Sequence, residues 1–448
     1  MHSETELKAL ADKALSLVDG FDAEVLLSSG DNALTRFSEN VITQNVAGSD
    51  ISISIRLLKD NRMGKSSTGN ITDDGIKRCI EIAKATLDIA EQDNEIMPLV
   101  EPQEYQKNPT SYFEASHNLT PEARADGVIK AVEACKKNNL QAAGIHSNSG
   151  SSVAIANSKG LWAYNKSSHA TISLSAMSDD SSGWAEDTDS DITKLNIDHV
   201  ISKAVQGAID GKKPGEIEPG AYTVVFEPAA VADFLLFLGW EGLNGLSFVE
   251  GRSCFSDRVG DRIVGKNITL RDDFTHPLTP GTPFDFEGCA KSPVTLIEKG
   301  VFKTTVHDRR TALKAGVEST GHSMPQPDTY GPMPLNIVMS PGDSSLEEMI
   351  ASTENGLLVT RLHYSNILNP MIMMLTGMTR DGLFAIENGK VTKGLKNMRY
   401  TESVLHLLSN VEALSSKLYK TETFWGGGGT IVPAIKVNDF HFTSKTEN

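Results

Sequence analysis

The sequence predicts an α+β fold: an N-terminal region of two related helix/antiparallel-sheet units, then a large, mostly β C-terminal domain. Three observations predict it. First, a capped amphipathic helix, a group of strand-like runs and a second capped helix follow one another over residues 1–90. Second, the same order returns at an offset of roughly 120 residues, and the "ISISI" of Ile51–Ile55 is faintly echoed by "ISLSA" at Ile172–Ala176. Third, the chain beyond residue 219 is punctuated by Pro280-Gly281, Gly331-Pro332, Pro341-Gly342 and Asn388-Gly389, with short strand-like runs between them.

The first helix opens on Ser3 and Glu6, an S-x-x-E capping box. Leu7, Leu10, Ala14 and Val18 follow at helical spacing, and Gly20 stops the run. Ala23–Ser28, Ala33–Phe37 and Val41–Val46 read as strands. Asp50–Leu58 is the clearest strand, because Ile51, Ile53, Ile55 and Leu57 alternate with polar residues, which marks a sheet with one buried face. Thr72 starts a second helix, with Asp73 and Asp74 favourably placed at its positive end. In the second unit Thr120 caps a helix with Pro121 at its first position. Strand runs follow at Ala142–His146, Ser152–Ala156, Gly160–Tyr164 and Thr171–Ala176, and a further helix is expected from near Asp191.

Lys212-Lys213-Pro214-Gly215 and Pro219-Gly220 read as a linker. The expected units are therefore 1–105, 106–213 and 219–448. In the last, the spacing predicts strand Ala221–Phe226, helix Pro228–Trp240, strands Val294–Ile297, Leu335–Met339, Gly356–His363 and Gly382–Glu387, and helices Leu346–Ala351 and Val404–Lys417. Asn388-Gly389 followed by Lys390–Thr392 has hairpin character.

Composition narrows the function. The 448 residues carry 42 Lys+Arg against 58 Asp+Glu, a net charge of −16, which argues against nucleic acid or an anionic membrane as partner. Cys79, Cys135, Cys254 and Cys289 are too widely spaced for a C-x-x-C motif. The start, MHSETELKAL, has neither a basic nor an apolar leader segment, and no apolar run approaches membrane-spanning length, so a cytoplasmic location is expected.

The residues by themselves present no evident active site. The 11 histidines are scattered, and none pair at the spacing that puts two imidazoles on one helix face. His307-Asp308 is read as structural. Asp187, Asp189 and Asp191 mimic the start of a calcium loop, but Ile192 and Asp198 stand where glycine and a bidentate glutamate are needed, so Asp191 is read as a helix cap. There is no G-x-S-x-G elbow, and Cys254 is read as a buried thiol. The Gly426–Gly429 tract lacks the Lys-Ser/Thr of a phosphate loop and suits a close backbone approach.

Four stretches carry a resemblance: "LTRFSENVITQNVAGSDISISIRL", "EPGAYTVVFEPAAVADFLLFL", "FEGCAKSPVTLIEKGVFKTTVHDRRTALKAG" and "LTGMTRDGLFAIENGKV". In this order, across nearly the whole chain, they resemble the TldD/PmbA (TldE) family of cytosolic metalloprotease subunits, which includes modulator of DNA gyrase-like proteins. TldD-type chains carry H-E-x-x-x-H on a helix and a C-terminal cysteine, three ligands that leave one zinc position open for water. The matching segment here is "WEGLNG", so Trp240 and Gly245 stand at the histidine positions and only Glu241 is kept. The cysteine pattern reads "WGGGGTIVP", which puts Trp425 at the thiolate position.

The resemblance thus implies a PmbA/TldE-type subunit without intact catalytic residues and without a metal or other cofactor of its own. Its partner would be a TldD-type chain holding zinc, in a heterodimer that cleaves unfolded or leader peptides. The alternative is a stand-alone homodimeric peptide-binding protein. Substrate-binding residues are not legible at this level.

Overall fold

The computed structural model describes residues 1–279, 281–422 and 429–446. The chain opens with α1 (Glu4–Ser16), and its capping box forms: Ser3 Oγ accepts the Glu6 N–H, and the Glu6 carboxylate accepts the Ser3 N–H at 2.8 Å. β1 (Asp22–Ser38), β2 (Val41–Lys59) and β3 (Arg62–Thr68) follow, then α2 (Asp73–Ile89), capped by Thr72. After the one-turn α3 (Glu114–His117) the order repeats: α4 (Pro121–Lys137), β4 (Gln141–Asn157), β5 (Trp162–Met177), β6 (Ser182–Asp189) and α5 (Ile197–Asp210).

The two units share one antiparallel sheet of six strands in the order β3-β2-β1-β4-β5-β6. β1 and β4 form the seam, so the two helix-strand-strand-strand-helix runs mirror each other across it. The separate runs expected at Ala23–Ser28 and Ala33–Phe37 are one strand, as are Val41–Val46 with Asp50–Leu58. The poor strand formers Gly30, Asp31 and Asn32 stay extended because β2 and β4 pair with them on both sides.

A packing detail repeats as well. Gly64 on β3 lies under α2, where an added Cβ would stand 2.0 Å from the Ala83 carbonyl oxygen and 2.6 Å from the Leu87 nitrogen. Gly183 on β6 lies under α5, where the Cβ would stand 2.2 Å from the Ala204 oxygen and 2.4 Å from the Ala208 nitrogen. Both helices rest on the sheet through a glycine.

The C-terminal domain begins with β7 (Gly220–Phe226) and α6 (Pro228–Phe237). A π-helical turn (Leu238–Gly242) and α7 (Gly245–Val249) follow, then β8 (Leu270–Asp272), β9 (Val294–Glu298), β10 (Val301–Phe302), α8 (Arg309–Ala315) and β11 (Ile337–Met339). Next come α9 (Leu346–Ala351), β12 (Asn355–Asn369), β13 (Met374–Glu387), β14 (Lys390–Gly394), β15 (Met398–Ser403), α10 (Val404–Ser409) and β16 (Val411–Leu414). β17 (Tyr419–Thr421), β18 (Thr430–Val432) and β19 (Ile435–Lys445) complete the described chain.

One sheet runs β10-β9-β8-β11-β18-β17; the other runs β12-β7-β19-β15-β13-β14, with β16 beside β19. α6 packs against β12 of one sheet and β17 and β18 of the other. Phe226, Phe234, Tyr400 and Phe440 meet there edge to face or tilted, with Phe226 and Phe440 centroids 4.9 Å apart. No helix among the described residues is long and apolar enough to cross a membrane.

Three expected helices are corrected. Asp191 caps a 3₁₀ turn (Ile192–Lys194), and the α-helix starts at Ile197 with Asn196 as its cap. Asp187 is already engaged, accepting the Asn196 N–H at 2.7 Å, which folds the chain back before the helix begins. The helix expected over Val404–Lys417 ends at Ser409. Asn410 accepts the Asn438 N–H at 3.0 Å, and Val411–Leu414 joins β19 instead, because strand pairing outweighs helical spacing in so short a segment. The helix expected over Pro228–Trp240 is α-helical only to Phe237.

The shared glycines lead to a test. Gly64→Ala and Gly183→Ala should each destabilise the chain by about 1–3 kcal/mol or more, because helix backbone must move to admit the methyl. Gly48→Ala, where an added Cβ meets nothing within 4 Å, is the control. Denaturant unfolding measures all three.

Candidate functional site

Trp240 and Glu241 lie half-buried on the π turn, and Gly245 begins α7. The turn is held by the Leu243 N–H donating to the Leu238 carbonyl at 2.8 Å, an i to i+5 bond. In an α-helix, residues five apart point about 140° away from each other. A turn widened in this way is the local backbone suited to a motif whose end positions are five apart.

The turn is tightly seated. The Trp240 ring stacks on Phe237 with centroids 6.4 Å apart. An added Cβ on Gly239 would lie 2.8 Å from Ile337 Cδ1, and one on Gly245 would lie 2.4 Å from the Val306 carbonyl oxygen and 2.9 Å from His307 Nδ1. Asn244 fixes the exit: its Oδ1 accepts the Leu246 and Ser247 N–H groups, and its Nδ2 donates to the Tyr330 carbonyl at 2.7 Å. Trp425 and Gly426–Gly428 lie outside the described residues.

His307 is buried beside Gly245, with Nε2 3.0 Å from Thr305 Oγ1 and Nδ1 3.2 Å from Thr311 Oγ1. Burial pushes it down to about 4, so it is neutral at physiological pH. Asp308 caps α8 by accepting the Thr311 N–H at 2.7 Å. Cys254 is buried, which pushes its thiol up to about 12 and keeps it protonated.

A cavity adjoins this segment. It is a cleft of about 660 Å³ between the N-terminal sheet and the C-terminal domain. One wall is rich in hydroxyl and amide groups: Ser28, Ser29, Ser151, Ser152, Asn165 and Ser167. The facing wall includes Met333, Leu335 and Asn336, from the loop whose Pro332 and Pro334 press on Gly245 and Gly239. The cleft and the motif are therefore two sides of one loop.

Charged groups gather at the C-terminal wall. His322 Nε2 is 3.0 Å from Asp272 Oδ1, with both side chains fully buried, and Asp272 Oδ2 accepts the Asn336 N–H at 2.8 Å. Burial raises the Asp272 carboxyl, but the His322 charge more than reverses this and leaves it below the usual range. Asp285 accepts N–H groups from Glu287, Cys289 and Ser323, yet burial and neighbouring Glu287 push it up to about 7. Burial lowers Lys291, and Asp272 and Asp285 partly offset the shift. This wall sets titratable groups opposite a row of hydroxyls. None of these residues stood out in the sequence, because they come together from four separate loops and strands with no shared spacing.

Comparison with known proteins bears on the family and the fold. Residues 219–444 match the PmbA/TldA metallopeptidase C-terminal domain, residues 23–87 match domain 1 and residues 69–211 match the central domain. A metalloprotease of Methanothermobacter thermautotrophicus is 24% identical over 218 residues, 48% of this chain and 47% of its own length. The chain thus spans about half the length of the curated relatives it matches. TldE from Thermococcus kodakarensis superposes with a TM-score of 0.87 at 23% identity, over 97% of this chain and 99% of its own. A proposed modulator of a DNA gyrase from Thermotoga maritima gives 0.86 at 20% identity, over 98% of this chain and 100% of its own. At these identities the structural likeness establishes the fold.

α6 carries a testable titration. Asp233 hydrogen-bonds to Ser365, which is 2.7 Å from the Tyr400 hydroxyl, and burial pushes Asp233 up to about 6. A folded-state value above the unfolded one means that the stabilising contribution is complete below about pH 4 and is lost as pH rises through about 6. Asp233→Asn should flatten this decline, worth on the order of 3 kcal/mol. Unfolding free energies from pH 4 to 8 check it.

Proposed function

The chain belongs to the PmbA/TldA metallopeptidase family, and on that premise we propose that it is the non-metal-binding, TldE-type half of a two-subunit cytoplasmic zinc protease. The observation that carries this reading is the packing around the motif. Indole and glycine supply no imidazole, and any side chain at position 245 would begin 2.4 Å from the Val306 oxygen. These residues do not fit a zinc ion, and no catalytic step is assigned to one on this chain. In the partner, a TldD-type subunit, zinc would supply Lewis-acid activation of water.

The work left to this chain is binding and enclosure. The hydroxyl-lined wall of the cleft offers donors and acceptors to the main chain of an extended, unfolded peptide, and Lys291, His322 and Asp285 offer polar groups to its ends or side chains. Pairing is supported by apolar groups left in water. At the tip of the β12–β13 hairpin Tyr364 is 71% and Leu368 58% exposed, with Met371 and Ile372 beside them. β3 pairs with β2 only over Ile53–Lys59, so Val41, Ile42 and Val46 lie along an open, exposed strand edge.

The decisive experiment is co-expression with a TldD-type subunit from the same source. We expect a stable complex that cleaves an unfolded peptide and loses activity with a chelator. The chain by itself should cleave nothing. Chelator-insensitive cleavage by the isolated chain would sink the reading. Failure to associate, with a homodimer forming instead, would favour a peptide-binding protein without a protease partner.

Restoring the ligand types should not restore the site. Trp240→His, Gly245→His and Trp425→Cys together should give weak zinc binding at best and no peptidase activity, because the imidazole at 245 must displace the Val306 backbone. Metal analysis and a peptide cleavage assay on the triple variant test this. Tight stoichiometric zinc with recovered activity would show that the pocket was already shaped for metal.

A further inference from the structure

A second group of metal-ligating side chains lies away from both the motif and the cleft. Glu402 is the penultimate residue of β15, His406 is on α10 and His441 is on β19, and one ligand atom from each lies within 4.8 Å of the others. Glu402 is 4% exposed. Its carboxylate is fixed by two backbone donors, the Ser403 N–H at 2.8 Å and the His441 N–H at 3.1 Å. Both imidazoles direct Nδ1 at it: His406 Nδ1 is 3.1 Å from Oε1, and His441 Nδ1 is 2.7 Å from Oε2. On the outer side, Asp439 places Oδ2 3.5 Å from His406 Nε2 and Oδ1 4.0 Å from His441 Nε2.

Each ring therefore has a carboxylate at both nitrogens. A neutral imidazole has one N–H and one lone pair, so either tautomer leaves a lone pair facing an anion. A cation shared by the two Nδ1 atoms and the Glu402 carboxylate satisfies both rings. The Nε2–H groups then face Asp439, the usual outer partner of a metal-bound histidine. Neighbouring ligands on a tetrahedral ion with bonds of about 2.0–2.1 Å lie about 3.3 Å apart, so the 2.7 and 3.1 Å separations need only a small outward shift of the rings to admit one.

We propose that Glu402, His406 and His441, oriented by Asp439, form a binding site for a divalent transition-metal ion such as Zn²⁺. Two imidazoles and one carboxylate suit Zn²⁺, Ni²⁺ or Cu²⁺ over Mg²⁺ or Ca²⁺, which prefer oxygen ligands. The half-exposed histidines leave room for water to complete the coordination. The ion would clamp β19 to the β15–α10 junction, and so hold the last strand of the seven-stranded sheet. The site is independent of the family's catalytic zinc, whose positions on this chain correspond to Trp240 on the π turn, Gly245 at the start of α7 and Trp425.

The test uses the full chain, stripped with chelator and titrated with Zn²⁺ alone by calorimetry at neutral pH. Melting temperature with and without the ion gives a second readout. We expect one saturable equivalent and a higher melting temperature in its presence. His406→Ala and His441→Ala should each abolish both effects, and Asp439→Asn should weaken binding roughly 10–100-fold. Glu241→Ala should bind as the wild type does. His441 is half-exposed, so His441→Ala decides the question if His406→Ala fails to fold. No saturable uptake, or uptake unchanged in His441→Ala, overturns the proposal and leaves the subunit reading untouched. Uptake lost in Glu241→Ala but kept in His441→Ala overturns both.

Discussion

The Arg56 guanidinium, on β2, lies almost out of water between the two halves of the molecule. It makes a fork with Glu24 on β1, Nη2 to Oε2 at 2.7 Å and Nε to Oε1 at 3.0 Å. Its Nη2 also lies 3.9 Å from Glu287 of the C-terminal domain, which is itself held by Arg309 at 2.9 Å. Two guanidinium groups and two carboxylates balance here with little solvent. Removing one member would strand a buried charge, at a cost of about 3–5 kcal/mol, so the network tolerates only one placement of the domain against the sheet. Apolar contacts follow that placement: Val100, Ile155, Leu161 and Ala163 from the N-terminal region meet Phe284 and Cys289 from the C-terminal domain. Tyr105 adds a hydrogen bond to the Gly288 carbonyl at 2.7 Å. The cleft exists because this seam sets the distance between its two walls.

A second constraint positions the motif. α6 is apolar nearly all round, as a helix buried between two sheets must be. Phe226, Phe234, Phe440 and Tyr400 lock it in rotation, so the π turn that follows has no freedom to reposition Trp240. The loop at Pro332 and Pro334 then closes on Gly245 and Gly239 and lines the cleft with its next residues. Motif, loop and cleft therefore form one packed unit, in which backbone, imidazole and proline atoms close around Gly245.

The α+β class, the repeat and the family were legible from local patterns. The Ser3–Glu6 box, the Thr72 and Thr120 caps and the 346–351 helix all emerged where spacing and capping put them. These features rest on interactions between residues close in the chain, and such interactions are written in order along it. The residue types at Trp240, Glu241 and Gly245 were equally legible, since an indole or a glycine offers no metal ligand in any fold. Ile51–Leu57 does lie in a strand, but the single buried face expected from its alternation is corrected: Ile53–Leu58 are buried on both faces, with Arg56 turned towards Glu287 of the C-terminal domain.

Tertiary structure decided what depends on distant partners. The joining of both units into one sheet follows from β1 pairing with β4 across more than a hundred residues. Val411–Leu414 became a strand because β19 was there to pair with it. Whether residue 245 could hold a larger side chain was set by Val306, His307 and Pro332, none of which is near it in sequence. Likewise Glu402, His406 and His441 formed a cluster because a C-terminal strand returned beside α10. The sequence by itself determined the elements, the repeat and the residue types at the motif. Only the tertiary structure decided the seam, the cleft and the second cluster, because long-range packing and charge pairing depend on which surfaces meet, and spacing along the chain does not encode that.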